Sequence, residues 1–157
     1  MKRYPMRRKD RQLAETEALQ IIENGEYGIL SLTDSDGTPY GVPLNYCCVE
    51  GKIYFHGTNQ GGHKVENIGD GCPACFTVVG ATEILPSEFG TKYSSAMAFG
   101  RISPVTERKE KELALQGLLH KYSEAFWNKG LAFIGSCFDR VGVWRLDVEY
   151  VTGKARK

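Results

Sequence analysis

Apolar and polar positions alternate in short runs along most of this chain, and polar turns separate the runs. Tyr27-Gly28-Ile29-Leu30-Ser31-Leu32 reads as a strand. Asp34-Ser35-Asp36-Gly37 follows as a turn, because Asp and Gly accept the dihedrals a hairpin needs. A second strand is expected from Thr38 to Val49. Pro39 and Pro43 fall inside it and cannot donate to a ladder, so it has to be an edge, bulged or irregular strand. Glu50-Gly51 turns the chain into a third strand, Lys52 to His56. Pro73 to Val79, Tyr93 to Val105 and Val141 to Val148 complete a set of six, with Gly100 marking a bend.

The 3.6-residue period is rarer. Thr16 to Asn24 predicts a short helix with Ala18, Leu19, Ile21 and Ile22 on one face, capped by Thr16 and stopped at Asn24-Gly25. His63 to Ile68 predicts another, ended by Asp70-Gly71. After Thr106, taken as its cap, a helix of about sixteen residues carries Leu115, Leu118, Leu119 and Tyr122 on one stripe. Residues 80–92 fit neither period, and Thr152-Gly153-Lys154 closes the chain. With no βαβ rhythm, a Rossmann-type sheet is excluded. The expected fold is mainly β, a six-stranded antiparallel barrel with one long and two short helices.

Length changes this picture little: 157 residues make one domain, with residues 1–12 as a basic N-terminal arm. Charge changes it more. The net +1 divides into +5 over the first eleven residues, +3 over the last five and therefore −7 over the rest. An acidic body argues against a nucleic-acid partner, since phosphate contacts dominate such affinity. The basic ends read as solvated tails, or as an arm over a ligand phosphate or a partner subunit. No apolar run reaches membrane-spanning length and no signal-peptide segment follows Met1, so the expected location is cytoplasmic, with no membrane partner. The five cysteines are then expected to be reduced thiols.

Cys72-Pro73-Ala74-Cys75 invites a redox reading, but a strand-like Phe76-Thr77-Val78-Val79 follows where thiol oxidoreductases need a helix N-terminus. A zinc site would need two further ligands at standard spacing, and the histidines 56, 63 and 120 do not supply them. No metal is expected. His120, beside Leu118 and Leu119, reads as a helix-surface or core-edge residue. Gly-x-Ser-x-Gly, Walker and dinucleotide motifs are absent. One stretch remains. Gly57 to Lys64 joins glycine-permitted backbone to Thr58, Asn59 and Gln60, then to His63 and Lys64 at a helix start. It is an ordinary loop or a phosphate cradle. Val42-Pro43-Leu44-Asn45-Tyr46, one hairpin away, is an ordinary edge strand or one wall for a flat heteroaromatic ring.

Met6 to Arg11, Val42 to Tyr46, Ile53 to Gly57, Gly62-His63-Lys64 and Val151 to Arg156 occur in an order that resembles the pyridoxamine 5′-phosphate oxidase-like flavin-binding split barrels. The resemblance is to the 5-nitroimidazole-resistance (nitroimidazole reductase-like) branch and covers nearly the whole chain. It implies a six-stranded split β-barrel that forms a homodimer, with FMN, or FAD in its place, bound at the subunit interface. Carried over by position, it sets Val42, Pro43, Leu44 and Asn45 along the flavin ring. Tyr54, His56 and Gly57 fall near the ribityl chain or the open face, and His63 and Lys64 on the phosphate. Tyr93, Ser94 and Ser95 fall near the flavin, and His56 faces the substrate as the candidate catalytic residue. The branch often has a second Lys where this chain has His63, which implies a grip that weakens as pH rises through the imidazole titration.

The function so implied is reduction of a small organic compound, with a nitroimidazole or nitroaromatic as candidate substrate and a reduced nicotinamide or another donor as electron source. The alternatives are a haem-binding or haem-degrading barrel with His56, His63 or His120 as axial ligand, and a non-catalytic flavin-binding stress protein.

Overall fold

Two short turns set the first hairpins. In the computed structural model, which describes residues 1–157, β1 (Gly28–Thr33) and β2 (Pro39–Leu44) are joined through a closed turn. Asp34 N–H donates to Thr38 O at 2.8 Å, Gly37 N–H to Asp34 O at 2.9 Å, and Thr38 N–H to Asp36 Oδ1 at 2.9 Å. Gly37 sits at φ +89°, a region that only glycine enters freely. β3 (Tyr46–Val49) and β4 (Lys52–Thr58) are joined by Glu50 and Gly51, both at positive φ, as a two-residue hairpin requires.

The remaining strands are long: β5 (Cys72–Leu85), β6 (Gly90–Pro104) and β7 (Val141–Arg156). All strands pair antiparallel in one sheet, in the order β2-β1-β5-β6-β7-β4-β3. The first and last strands of that order are consecutive in the chain. The sheet therefore begins and ends on either side of Asn45.

This is where the expected count of six fails. The strand expected from Thr38 to Val49 is two strands with different partners, β2 on β1 and β3 on β4. The cause lies in the long helix. Tyr46 N–H donates to the Tyr122 hydroxyl at 3.1 Å instead of to a strand, and that hydroxyl lies 2.6 Å from the Glu26 carbonyl to which it donates. A side chain wedged into the ladder breaks it. Pro39 and Pro43 do occupy an edge strand, as their missing donors require.

Two other expectations are corrected. Residues 80–92 are not irregular: β5 and β6 stay paired through Thr82↔Tyr93 and Leu85↔Gly90, and Pro86–Glu88 turns the tip with Phe89 at φ +50°. Both faces of this arm meet solvent, with Ile84 75% and Phe89 96% exposed, so no one-sided stripe marks it. β7 likewise continues past Val148 to Arg156 along β6. The helices number four. α1 (Glu15–Asn24), α2 (His63–Ile68) and α3 (Arg108–Ser123) match the expected three, with Ala14 and Glu107 at the N-caps of α1 and α3 in place of Thr16 and Thr106. α4 (Trp127–Cys137) follows α3 after a turn of 3-10 helix and lies outside the three helices expected. No helix is long and apolar enough to cross a membrane.

The core is aromatic at its centre. Phe76 meets Tyr46 edge-on at 4.7 Å and Phe55 at 4.9 Å, and all three are fully buried. Each such pair adds about 0.5–1.5 kcal/mol beyond area burial. No polar or charged residue is buried in this core. Gly100 lets β6 and β7 close: a Cβ there would fall 1.9 Å from the Asp147 carbonyl, where their register shifts. The other face of β4 carries a smaller cluster, in which Tyr54 and Cys47 pack on Ala114, Leu115 and Leu118 of α3. Glu110 ties the helix down, accepting from Tyr54 Oη at 2.9 Å and from the Arg145 guanidinium at 2.8 and 3.1 Å. Arg145, then Tyr54, holds the Glu110 carboxyl below its usual range.

Candidate active site

β4 alternates. Ile53 and Phe55 enter the large core, while Tyr54 and His56 face α3 and α4. Tyr54 is covered by α3, but His56, two residues on, passes beyond the small cluster and opens into a cleft of about 650 Å³. Asn45, at the break between β2 and β3, lines the same cleft. Its opposite wall is apolar: Leu115, Leu118 and Leu119 from α3, with Phe133 and Ile134 from α4. The Asn45 amide donates to Glu26 O at 3.4 Å, which fixes its orientation at the rim.

Next to His56, Gly57 leaves room for a cation. The Lys64 ammonium lies 3.8 Å from the centroid of the Trp144 ring, and a Cβ on Gly57 would stand 2.8 Å from Lys64 Nζ. Burial lowers the Lys64 pKa, and no carboxylate offsets it. Burial, then the Lys64 charge, lowers the pKa of His56 as well, so the imidazole is neutral at pH 7. Gly61 and Gly62, both at positive φ, carry the chain from β4 into α2.

His63 points elsewhere. Its Nε2 lies 2.9 Å from both Asp34 carboxylate oxygens, its ring packs at a 38° tilt against Tyr40 with centroids 4.0 Å apart, and Asn67 also bonds to Asp34. That dyad latches α2 to the β1–β2 turn. Val42, Pro43 and Leu44 run along edge strand β2; Val42 and Leu44 lean on the core, and Pro43 is exposed. Tyr54, expected near the ribityl chain or the open face, is 1% exposed with its hydroxyl on Glu110, so it anchors α3. Tyr93, Ser94 and Ser95 lie apart from the His56 cleft, on β6 beside the end of β7. Ser94 lines a shallow hollow with Asn24, Gly80 and Lys157, and an Arg11 hydrogen bond, with Lys154 nearby, lowers the Tyr93 pKa.

The N-terminal arm is docked on its own chain. The Met1 amine meets Glu149 at 2.6 Å, the Arg3 guanidinium lies over the Tyr150 ring at 4.6 Å, and Gln12 bridges to Lys154. The cysteines are all free. Cys72 leans on the core while Cys75 faces out beside Thr77, so the pair points to opposite sides of β5, and burial raises both thiol pKa values. No group of three or more His, Cys, Asp or Glu side chains is placed to hold a metal. His120 is a surface residue, 69% exposed and paired with Glu124 at 3.1 Å.

The α4 wall is the part of the site that sequence reasoning missed. Its signal was present in Trp127, Leu131, Phe133 and Ile134, but Gly130 and Gly135 interrupt the run, and none of its residues is buried.

A family model described as pyridoxamine 5′-phosphate oxidase matches residues 14–155. The chain belongs to this family. Among solved structures similar to this pyridoxamine 5′-phosphate oxidase family member is a Bacteroides thetaiotaomicron protein assigned by inference to 5-nitroimidazole antibiotic resistance. It is 23% identical, with 92% of this chain and 86% of that one covered and a TM-score of 0.73. The flavocytochrome Anf3 from Azotobacter vinelandii is 16% identical over 98% of this chain and 73% of its own, TM-score 0.79. An FAD and heme binding protein from Mycobacterium smegmatis is 18% identical over 94% and 74%, TM-score 0.75. A comparison with curated proteins finds no match. At these identities the likeness shows the fold. The chemistry of this pyridoxamine 5′-phosphate oxidase family member rests on its own residues.

Proposed function

We propose that the chain is a flavin-dependent oxidoreductase that reduces a small organic compound. FMN is its first-choice ligand, with FAD the alternative. The observation that carries this reading is Lys64, a partly buried cation with no carboxylate of its own, held over Trp144 at Gly57 on the face of β4 opposite the cleft that Asn45 and His56 line. An unpaired, partly buried ammonium next to a glycine turn favours an anionic ligand group. The residues present therefore fit a phosphorylated flavin: Lys64 and the Gly61–Gly62 turn for the phosphate, the Val42 to Asn45 edge for the ring. His63 Nε2 is taken by Asp34, which leaves Nδ1 for the phosphate.

A bound flavin would supply hydride and electron transfer. The protein positions the ligand and excludes water. His56, neutral and at the cleft, can donate or accept one hydrogen bond to a substrate. The electron donor in this reading is a reduced nicotinamide, and a nitroimidazole or nitroaromatic is a candidate substrate, as the name of the Bacteroides relative suggests.

The assembly proposed is a homodimer, which counts β2 and β3 as one bent strand of a six-stranded split barrel. The outer face of the sheet supports it. Pro43, Ile29, Thr77, Met97 and Thr152 stand in one row across five strands, with Ile29 36%, Met97 37% and Val79 59% exposed. A partner pressed on that face would also bring its Tyr93 to Ser95 segment toward a shared ligand.

The test is the absorbance spectrum of the purified protein, followed by FMN titration. Flavin bands, bleached by NADPH and restored by a nitroaromatic, are expected. Colourless protein that takes up no added FMN sinks the proposal. One observation favours haem as a second reading: of the three histidines, only His56 opens into an apolar cleft. A Soret band lost in His56→Ala would select it.

A further inference from the structure

α4 is an apolar helix with no fully buried residue, Ile134 alone of its apolar side chains packing on the small cluster behind the cleft. Phe133 is 69% exposed, and Phe126, just before the helix, is 66% exposed. Its close approach to the rest of the chain is at Gly130, where a Cβ would fall 2.1 Å from Leu119 Cδ1. From that contact the apolar surfaces of α3 and α4 open around the 650 Å³ cleft. Apolar walls left facing water favour a ligand that covers them.

The charges on the cleft narrow the choice. Fourteen residues line it, and none is Asp or Glu. Lys129 is the one lining side chain with a full charge at neutral pH, because burial and Lys64 keep His56 neutral. The Tyr122 hydroxyl is committed to Glu26 and Tyr46. Polar recognition is thus left to Asn45, His56, Ser123 and Lys129.

We propose that the cleft between α3, α4 and β4 is the substrate pocket and selects flat, apolar aromatic molecules carrying one negative charge. The rings lie between the leucines of α3 and Phe133, and the anionic group is seated at Lys129. A cationic ring of the same size finds no counter-ion there and leaves Lys129 facing a like charge. That the bound molecule is a substrate rests on the flavin reading above; its binding and its charge preference do not.

Three probes of similar size test this by equilibrium dialysis at pH 7.5 on the full chain, with the flavin spectrum read in the same sample. They are 1-anilinonaphthalene-8-sulfonate, the uncharged N-phenyl-1-naphthylamine and the cationic 9-aminoacridine. Saturable binding of one sulfonate per chain is expected, at least tenfold tighter than the acridine. Lys129→Glu should weaken the sulfonate at least tenfold and the uncharged probe less than twofold. Phe133→Ser, at an exposed position that leaves the fold intact, should weaken both about tenfold. The proposal falls if no probe saturates at one per chain, if the acridine binds as well as the sulfonate, or if Lys129→Glu weakens the two naphthyl probes equally. It falls too if Phe133→Ser leaves every probe unchanged, or if it turns a dimer into a monomer while wild type binds no probe, which would give the cleft to a second copy. Yellow protein that binds no probe overturns this inference alone. Colourless protein with the Lys129 dependence supports the pocket and removes the flavin.

Discussion

The two faces of β4 have been put to opposite uses. On one, Phe55 meets Phe76 inside a sixteen-residue core whose buried Tyr46 hydroxyl is satisfied by the Ile22 carbonyl. On the other, Tyr54 and His56 face a cluster of only six residues that gives way to an open cleft. The strand is the same and its alternation is regular. What differs is the cover: a closed sheet on one side, and on the other two helices that touch each other closely at Gly130 and Leu119. Side chains interlock on the first face and stop doing so on the second, where the cleft opens.

The sharpest way to break this contrast is to cut both faces. Phe55→Ala should cost about 3–5 kcal/mol, since an aromatic ring leaves a closed cavity. Its melting temperature should fall by roughly 2–4 °C per kcal/mol for a chain of this size. Leu118→Ala, on the cleft side, should cost about 2 kcal/mol, the low end for such truncations, because one side of Leu118 already borders open space. Equal losses in urea or thermal unfolding would mean the two faces are equally packed.

Gly57→Ala should separate binding from stability. The new methyl displaces only the flexible end of Lys64, so unfolding should shift little, while FMN affinity should drop about tenfold, or about 1.4 kcal/mol. Unchanged affinity would remove Lys64 from the phosphate.

The smallest effect concerns protons. His56 titrates below its ordinary value of about 6.5 when folded, so the unfolded chain binds the proton more readily. Its contribution to stability is complete above pH 6.5 and is lost as pH falls from there through the depressed value. His56→Gln should therefore lose less melting temperature than wild type between pH 7.5 and pH 5.5. An identical loss in both would show that the cleft does not bias the imidazole.

Local chemistry made much of this molecule legible. Asp34 to Gly37 and Glu50-Gly51 name their turns, and Pro39 with Pro43 announces an edge. α2 falls on the residues its pattern gave, His63 to Ile68. What could not be read depends on distant partners. Nothing near Asn45 reveals that Tyr122, 76 residues beyond Tyr46, ends the ladder there. The β5–β6 arm has no one-sided pattern because it has no buried side, and the apolar pattern of α4 is interrupted by Gly130 and Gly135. The candidate site was legible in the same measure. The order of motifs points to Asn45, His56 and Lys64, while nothing local to Tyr54 shows that Glu110 holds its hydroxyl, and no expectation covers the wall from Phe126 to Cys137.

The break at Asn45 also governs how this sheet meets other proteins. A seven-stranded sheet has two raw margins, each able to recruit a foreign strand. Here one peptide segment is stitched to both, so neither margin can peel away without dragging the other, and the two prolines of β2 remove donors from its outer rim. A chain nicked at Asn45 would keep every one of its strands and lose this hem. Ordered growth into fibres should then begin from β2 and β3, the two ends the intact chain keeps tied together.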